Sequence, residues 1–249
     1  NHVVVQDTKP YVGQPSVFGQ AGAIKGIGID SVQSGSFTAQ YLYLDNNQTV
    51  GLWLTGLQGQ EALVHISDVV VRNTRTSPEY RLTIPVAQTD FGVGIVLWGV
   101  SGSLTRALAT DNHTAGVAAV QFEFVPCEGT DMCGATDVLM EDIVVQGTKP
   151  DSHGHYGAGI AILDGASAHI NRAQIYDNHF VGIGALTDVR VSQQNSAAVT
   201  MAKLTNIDVR GVQPAQGAVG DATVSFADGI AIGGSVSSEI DRFVISGAQ

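Results

Sequence analysis

The sequence predicts an all-β fold, a right-handed parallel β-helix (solenoid) of about seven to eight coils with long insertion loops on one side. Three observations lead to it. The chain has 30 glycines among 249 residues, with 44% hydrophobic and 14% charged residues, which is typical of packed strands joined by many turns. One strand-and-turn motif recurs eight times. Each copy has Asp, Asn or Gly at the same turn position.

The composition also restricts the partners. A formal net charge of −11 argues against binding nucleic acid, because most of that affinity comes from Lys and Arg on phosphates. No run approaches the roughly 20 apolar residues that cross a bilayer, so no membrane span is expected. The chain lacks an initiator Met and opens on strand-like residues, so we expect one β-helix domain, 1–249, that is a portion of a longer chain.

The repeat is visible as two alternating motifs that align with each other. The first is Val3-Val4-Val5-Gln6-Asp7-Thr8, and it returns at 69–74, 143–148 and 207–212. The second occupies 42–47, 107–112, 173–178 and 243–248. Since stacked repeats place like residues on like residues, the strands should pair in parallel and enclose a core that no single coil could bury.

One column of the alignment predicts the turn. Its residue types tolerate the left-handed backbone conformation. We therefore expect Gly147→Val to cost about 1–2 kcal/mol and the same change at Gly28, outside the column, to be milder. The turn column comprises Asp7, Asn46, Asn73, Asp111, Gly147, Asp177, Gly211 and Gly247.

Aliphatic residues two and four positions before the turn have the period of a strand with one buried face. The residues that lie two positions before the turn and that we expect to stack inside the core are Val5, Leu44, Val71, Val145, Ile175, Val209 and Ile245. A further short strand follows most turns and begins with Gly, as in Gly51-Leu52-Trp53-Leu54 and Gly159-Ile160-Ala161-Ile162. Each coil thus holds at least two strands and a fixed corner.

These Gly-Ile strand starts and Asn-rich turns resemble the repeats of the pectate-lyase-like superfamily of right-handed parallel β-helices. The resemblance covers essentially the whole chain. It implies the fold, whereas the family includes lyases, hydrolases, epimerases, phage tailspikes and adhesins. The family's lyases bind calcium through clustered carboxylates and use an Arg or Lys base, and no such cluster can be matched in this sequence.

Long insertions leave the repeat at two points. One set, 10–25, 75–92, 150–158 and 212–228, follows the turn and should lie on one side of the solenoid, either as a binding face or merely as cover. The other set, 56–63, 120–137 and 187–203, contains Cys127 and Cys133. A local disulfide between these two cysteines would imply an oxidising compartment, and a two-cysteine metal site completed by carboxylates is the alternative.

Charged side chains recur five positions before the turn. We expect cross-coil ion pairs there, with a polysaccharide-binding stripe as the alternative. The column runs Asp68, Arg106, Asp142, Arg172, Asn206 and Arg242. Two positions after the turn, His113 and His179 align with Gln48, but alternate coils lie about 9.6 Å apart, too far to share a metal.

The segment Asp151-Ser152-His153-Gly154-His155-Tyr156 is the candidate binding loop, with Asp151, His153, His155 and Tyr156 as its functional side chains. Two imidazoles and a carboxylate could ligate zinc or copper, but without a third strong ligand a solvated loop is expected.

A third feature is apolar. Three positions before the turn, where side chains should point outward, lie Val4, Tyr43, Val70, Leu108 and Val144, to be covered by the insertion loops or by another chain.

These features favour an extracellular, secreted or cell-surface module with a non-catalytic structural or binding role. Its expected partner is a polysaccharide or another surface protein. The alternative is a carbohydrate-active enzyme, a polysaccharide lyase, hydrolase or epimerase, which two carboxylates about 5 to 10 Å apart on one face would favour. Because the turn explains the pairs at 111–112 and 177–178, no catalytic residue is assigned, and no metal or cofactor is expected.

Overall fold

The computed structural model describes residues 3–8, 27–33, 35–56, 62–84, 87–121, 135–187, 199–219 and 222–248. Residues 32–33, 77–84, 87–89, 216–219 and 222–226 are described by their backbone alone. Within these ranges every regular element is a β-strand, which agrees with the all-β prediction.

The first of two large sheets contains eight strands, all paired in parallel. Neighbouring strands belong to successive coils, so the sheet is one wall of a solenoid. Its strands, in spatial order, are β1 (Val3–Gln6), β3 (Gly35–Asp45), β5 (Ala62–Arg72), β9 (Ser101–Thr110), β11 (Asp137–Gln146), β13 (Ser167–Tyr176), β15 (Thr200–Arg210) and β18 (Val236–Ser246).

The second sheet forms the facing wall and is parallel except at one edge, where its last strand runs antiparallel to its neighbour. Its strands in spatial order are β2 (Ile27–Gln33), β4 (Val50–Gly56), β8 (Val93–Trp98), β10 (Ala115–Val120), β12 (Ala158–Leu163), β14 (Phe180–Leu186), β17 (Ala222–Gly233) and β16 (Ala215–Val219). A separate antiparallel hairpin, β6 (Ser77–Ile84) and β7 (Ala87–Phe91), lies within the insertion at 75–92. The parallel β-helix predicted from the repeat is confirmed.

The core lies between the two walls and is built from the predicted stacks. Leu44, Val71, Val145, Ile175 and Val209 are fully buried, and each pairs with its equivalent on the next coil. Val5 is partly buried against this core. Ile245 is 40% exposed, because β18 is an edge strand and a neighbouring coil covers it on one side only.

All eight residues of the turn column have left-handed backbones, with φ between 53° and 67°. At six of the eight turns the next residue is buried beneath the turn, and at two of these an Asn side chain holds the coils together. Asn112 accepts the N–H of Thr74 through Oδ1 at 3.0 Å and donates Nδ2 to the carbonyl of Val71 at 3.1 Å. Asn178 repeats this arrangement one coil pair further on. A buried amide thus satisfies backbone groups that the turn would otherwise leave unpaired.

The charged column, together with Tyr41 on the coil before it, is a second line of left-handed residues, with φ between 51° and 60°, which the sequence did not reveal. Arg106 binds Asp68 through two nitrogens, at 2.6 and 2.8 Å, and Arg172 binds Asp142 in the same way, at 2.6 and 3.0 Å. These guanidinium groups hold the pKa values of Asp68 and Asp142 well below their usual range.

The predicted alternation does not continue along the whole column. Asn206 donates to the Asn171 side chain at 2.9 Å, and Arg242 contacts its neighbour Asp241 at 3.0 Å. The ladder is therefore two bidentate ion pairs, then a hydrogen bond between coils and a contact between sequence neighbours, because an uncharged amide interrupts the order of charges.

The apolar outward column is only partly exposed over Tyr43, Val70, Leu108 and Val144, while Val4 on the edge strand is 59% exposed. The guanidinium of Arg72 lies 5.1 Å from the ring centre of Tyr43, so long neighbouring side chains cover part of it. The loop side chains proposed to cover this column, Tyr11, Val12, Phe18, Leu82, Ile84 and Val86, lie outside those that the structure describes.

The expectation that Gly28 tolerates substitution better than Gly147 is wrong. A Cβ at Gly28 would lie 2.5 Å from the carbonyl oxygen of Gly51 on the next coil, whereas a Cβ at Gly147 would meet only the Asp111 carboxylate, at 3.2 Å. At Gly28 the limit is the close approach of two backbones. At Gly147 it is the left-handed conformation, with φ of 65°.

We predict that Gly147→Ala lowers the free energy of unfolding by about 1–2 kcal/mol, because an L-residue is strained there. Gly147→Asn should cost less, since Asn occupies the same conformation at Asn73. Urea unfolding measures both. Gly184→Ala is the control, as its Cβ would meet its nearest neighbour, Val181, at an ordinary 3.4 Å. Equal losses for Ala and Asn at position 147 would contradict the backbone explanation.

Candidate functional site

The most distinctive surface feature is a column of nitrogen-bearing side chains two positions after the turn. Parallel bridges connect Gln48 with Arg75, His113 with Lys149 and His179 with Gln213. We call this set the donor column: Gln48, Arg75, His113, Lys149, His179 and Gln213. The two positions that continue it in sequence, Lys9 and Gln249, also bear nitrogen donors but lie outside the described residues.

The sequence revealed only half of this column. Gln48, His113 and His179 aligned as members of alternate coils, whereas Arg75 and Gln213 were assigned to insertions and Lys149 stood just before one. The structure places these three between the others, so neighbouring members are one coil apart, about 4.8 Å. An alignment of the residue two positions after each turn, made before the insertions were assigned, would have identified all three.

Beside the donor column runs a shallow polar groove whose floor includes the turn column. Its lining is Asp7, Asp45, Asn46, Asn73, Arg75, Asp111, His113 and Lys149. Lys149 forms an ion pair with Asp111 at 3.3 Å, and Asn73 donates to Asp45 at 3.0 Å. Arg75 is exposed and forms no ion pair with any residue that the structure describes. The groove thus offers both donors and acceptors, and one of its cations, Arg75, has no ion pair with a described residue.

The two histidines of the column are held alike. Nδ1 of His113 lies 2.8 Å from the carbonyl oxygen of Pro150, and Nδ1 of His179 lies 3.0 Å from that of Thr148. A carbonyl can only accept, so in each neutral imidazole the proton is on Nδ1 and the lone pair is on Nε2. Glycines make room for the base of each side chain: a Cβ on Gly92 would lie 2.7 Å from Cβ of His113, and one on Gly157 would lie 2.7 Å from Cβ of His179.

Burial lowers the pKa of His113 below its usual value, because the surroundings disfavour the charged ring. The hydrogen bond to Pro150 opposes this shift. The nearby cations Lys149 and Arg75 add to it, while the Asp151 carboxylate counteracts it. The neutral form of the ring is therefore favoured mainly by desolvation and secondarily by the two neighbouring cations.

The candidate binding loop begins immediately after the donor column, at Asp151. The Asp151 side chain is buried, and its Oδ1 accepts the backbone N–H groups of His153 and His155 at 2.9 and 2.8 Å. Its Oδ2 accepts the backbone N–H of Asp90, from the β6–β7 hairpin, at 3.3 Å. A single carboxylate thus shapes the loop and docks it on the hairpin.

Asp90 is the second buried carboxylate of this region, and sequence reasoning missed it. It accepts a hydrogen bond from the Ser152 hydroxyl and lies 3.9 Å from Nε2 of His153. Nδ1 of His155 lies 3.8 Å from Asp151. Asp90 belongs to an insertion without an equivalent in other coils, so the repeat gave no signal for it.

The three rings of the loop, those of His153, His155 and Tyr156, lie next to one another in this order. The rings of His153 and His155 are stacked with centres 6.0 Å apart, and Tyr156 packs edge-on against Phe180 at 5.6 Å. The side chain of His153 is 43% exposed and that of His155 is 19% exposed. His153 is therefore the loop imidazole that solvent or a ligand reaches most easily.

The structure brings the turn column, the donor column and the loop from Asp151 to Tyr156 together on one side of the solenoid. Cys127 and Cys133, the predicted disulfide, lie outside the described residues. No family model matches the chain, and no curated protein or solved structure matches it. Among the described residues there is no helix of the length and apolarity that crossing a bilayer requires.

We predict that His113 makes the protein less stable in mild acid. Its lowered pKa means that the unfolded chain takes up a proton more readily than the folded chain does. Its contribution to stability is therefore complete above about pH 6.5 and declines as the pH falls below that value. The midpoint temperature of thermal unfolding should fall less steeply between pH 7.5 and pH 5 for His113→Gln than for the unaltered protein.

His65→Gln serves as the control for this experiment, because His65 is exposed on β5, outside the donor column. That variant should keep the slope of the unaltered protein. A slope that is the same for His113→Gln and for the unaltered protein would refute the assignment.

Proposed function

We propose that this chain is a non-catalytic β-helix module that binds a glycan at a cell surface through the donor column and its groove. The observation that carries the proposal is the stacking of six nitrogen-bearing side chains on successive coils, in a chain with a net charge of −11. A column without carboxylates is unexpected on so acidic a protein. A surface protein is the second partner that such a column could bind.

A glycan fits this surface because it presents many hydroxyl oxygens along an extended chain. The donor column supplies N–H donors from Gln48, Arg75, Lys149 and Gln213, with the two histidines on coils between them and successive coils about 4.8 Å apart, and the neighbouring turn column supplies carboxylate and amide acceptors. Arg75 and Lys149 would hold acidic groups on the polymer, Arg75 without first breaking an ion pair within the described residues. Carboxylated or sulfated glycans are therefore the favoured class.

Two further parts of the proposal rest on sequence. The resemblance to the pectate-lyase-like superfamily supports a carbohydrate ligand. The pair Cys127 and Cys133 supports secretion, because a local disulfide forms and persists in oxidising compartments. An extracellular or cell-surface location follows from that pair.

A carbohydrate-active enzyme is the second candidate, and the adjacency of Asp90 and Asp151 favours it. Their environments support a structural role instead. Both side chains are buried with no exposed surface, Asp151 accepts three backbone N–H groups, and Asp90 accepts a serine hydroxyl. Carboxylates committed in this way shape a loop rather than meet a substrate.

Calorimetry with oligogalacturonate, chondroitin sulfate and neutral cello-oligosaccharides tests the binding role. We expect an acidic glycan to bind and the double variant Arg75→Gln, Lys149→Gln to bind it at least about tenfold more weakly, since charged hydrogen bonds contribute about 1.5–3 kcal/mol each. Lys203→Gln is the matched control, because Lys203 pairs with Glu239 on the outer face of the first sheet. Equal affinities for the two variants would place the ligand elsewhere.

The same glycans separate binding from catalysis. Incubation with each, followed by chromatography of the products, should show no shortening and no epimerised sugar. Turnover that disappears in Asp90→Asn would overturn the non-catalytic proposal in favour of the enzyme.

The secreted location predicts a bond between Cys127 and Cys133. Mass spectrometry of the unreduced protein, produced with export from the cell, should find no thiol available for alkylation. Two alkylated cysteines in that material would remove the bond and the argument for the compartment.

A further inference from the structure

His113 stands in the middle of the donor column, one coil from Lys149 on one side and one coil from Arg75 on the other. Among the described side chains, the remaining charged groups beside it are Asp111 on its own turn, which pairs with Lys149, and Asp151 at the start of the loop. Gly92 lies against Cβ of His113, and the carbonyl of Pro150 holds Nδ1 of the ring. Any ligand that reaches both cations must therefore pass over His113.

The hydrogen bond to Pro150 decides what His113 shows to that ligand. Because Nδ1 carries the proton in the neutral ring, the other nitrogen, Nε2, presents a lone pair. A lone pair repels the oxygen of a sulfate, carboxylate or hydroxyl acceptor. Protonation turns Nε2 into a donor and adds a positive charge to the ring.

We propose that His113 makes ligand binding at the donor column depend on pH, so that an anionic glycan binds more tightly as the solution becomes mildly acidic. The inference rests on the proposed function and adds its regulation. Without ligand, burial and the two cations favour the neutral ring. A bound anion between Arg75 and Lys149 offsets their repulsion of the imidazolium, and binding is then coupled to the uptake of a proton.

Other coils of the donor column indicate which substitution would remove this pH dependence. Gln48 and Gln213 occupy the same column on other coils and keep an N–H donor at every pH. His113→Gln should therefore preserve a donor of similar reach while removing the titration. We expect this variant to fold, because Gln already occupies the same position on two other coils. Thermal unfolding would reveal a loss of folding.

The experiment measures the affinity of the unaltered protein for a chondroitin sulfate hexasaccharide at pH 8, 7, 6 and 5.5, by calorimetry at constant ionic strength. Its sulfate esters stay charged throughout, so the charge of the ligand does not confound the result. We expect the affinity to rise several-fold from pH 8 to pH 5.5, with a limit of about tenfold per pH unit for one linked proton. His113→Gln should bind with little pH dependence.

His65→Gln, on another face of the solenoid, should retain the full pH dependence. Binding that does not change with pH in the unaltered protein, or that changes equally in His113→Gln, would overturn this inference and leave the binding function intact. Absence of binding at every pH, at 50 mM salt as well as at 150 mM, would instead overturn the proposed function and this inference with it. Measuring proton uptake in two buffers of different ionisation enthalpy gives an independent count, expected to lie between zero and one.

Discussion

The left-handed turn at the end of each coil is the constraint on which this structure depends. Eight residues share one backbone conformation and lie one above another, so every coil returns to the second wall at the same point. A shift of one residue in any strand would turn its inward side chains outward. The buried amides of Asn112 and Asn178, bonded to the coil before them, secure this register where the aliphatic stacks alone would not.

The candidate site is a consequence of the same register. Because the turn is fixed, the residue two places beyond it projects at the same point of every coil, and six independent choices of side chain become one line of donors. The insertions leave just after this line, which is why the loop from Asp151 to Tyr156 and the β6–β7 hairpin lie beside it. Asp151 connects them, since its carboxylate binds backbone groups of both.

Repetition explains what could be read from the sequence and what could not. The turn column was visible because Asp, Asn and Gly share one backbone property and recur eight times. The line of left-handed residues from Tyr41 to Arg242 was hidden, since Arg and Asp there give no sign of their backbone. Asp90 could not be found because its insertion has no equivalent, and Gly28 was misjudged because a close approach between coils leaves no mark in a single strand.

The alternation of cation and imidazole along the column sets the unit by which such a surface could grow during evolution. Arg75 and Lys149 lie on alternate coils, with His113 between them and His179 beyond. Duplication of the single coil that carries Arg75 or Lys149 would bring two cations together about 4.8 Å apart, and like charges at that distance repel by roughly 1 kcal/mol or more at a protein surface. Duplication of a coil pair would extend the same pattern without that penalty, so the heritable module of this surface is two coils long.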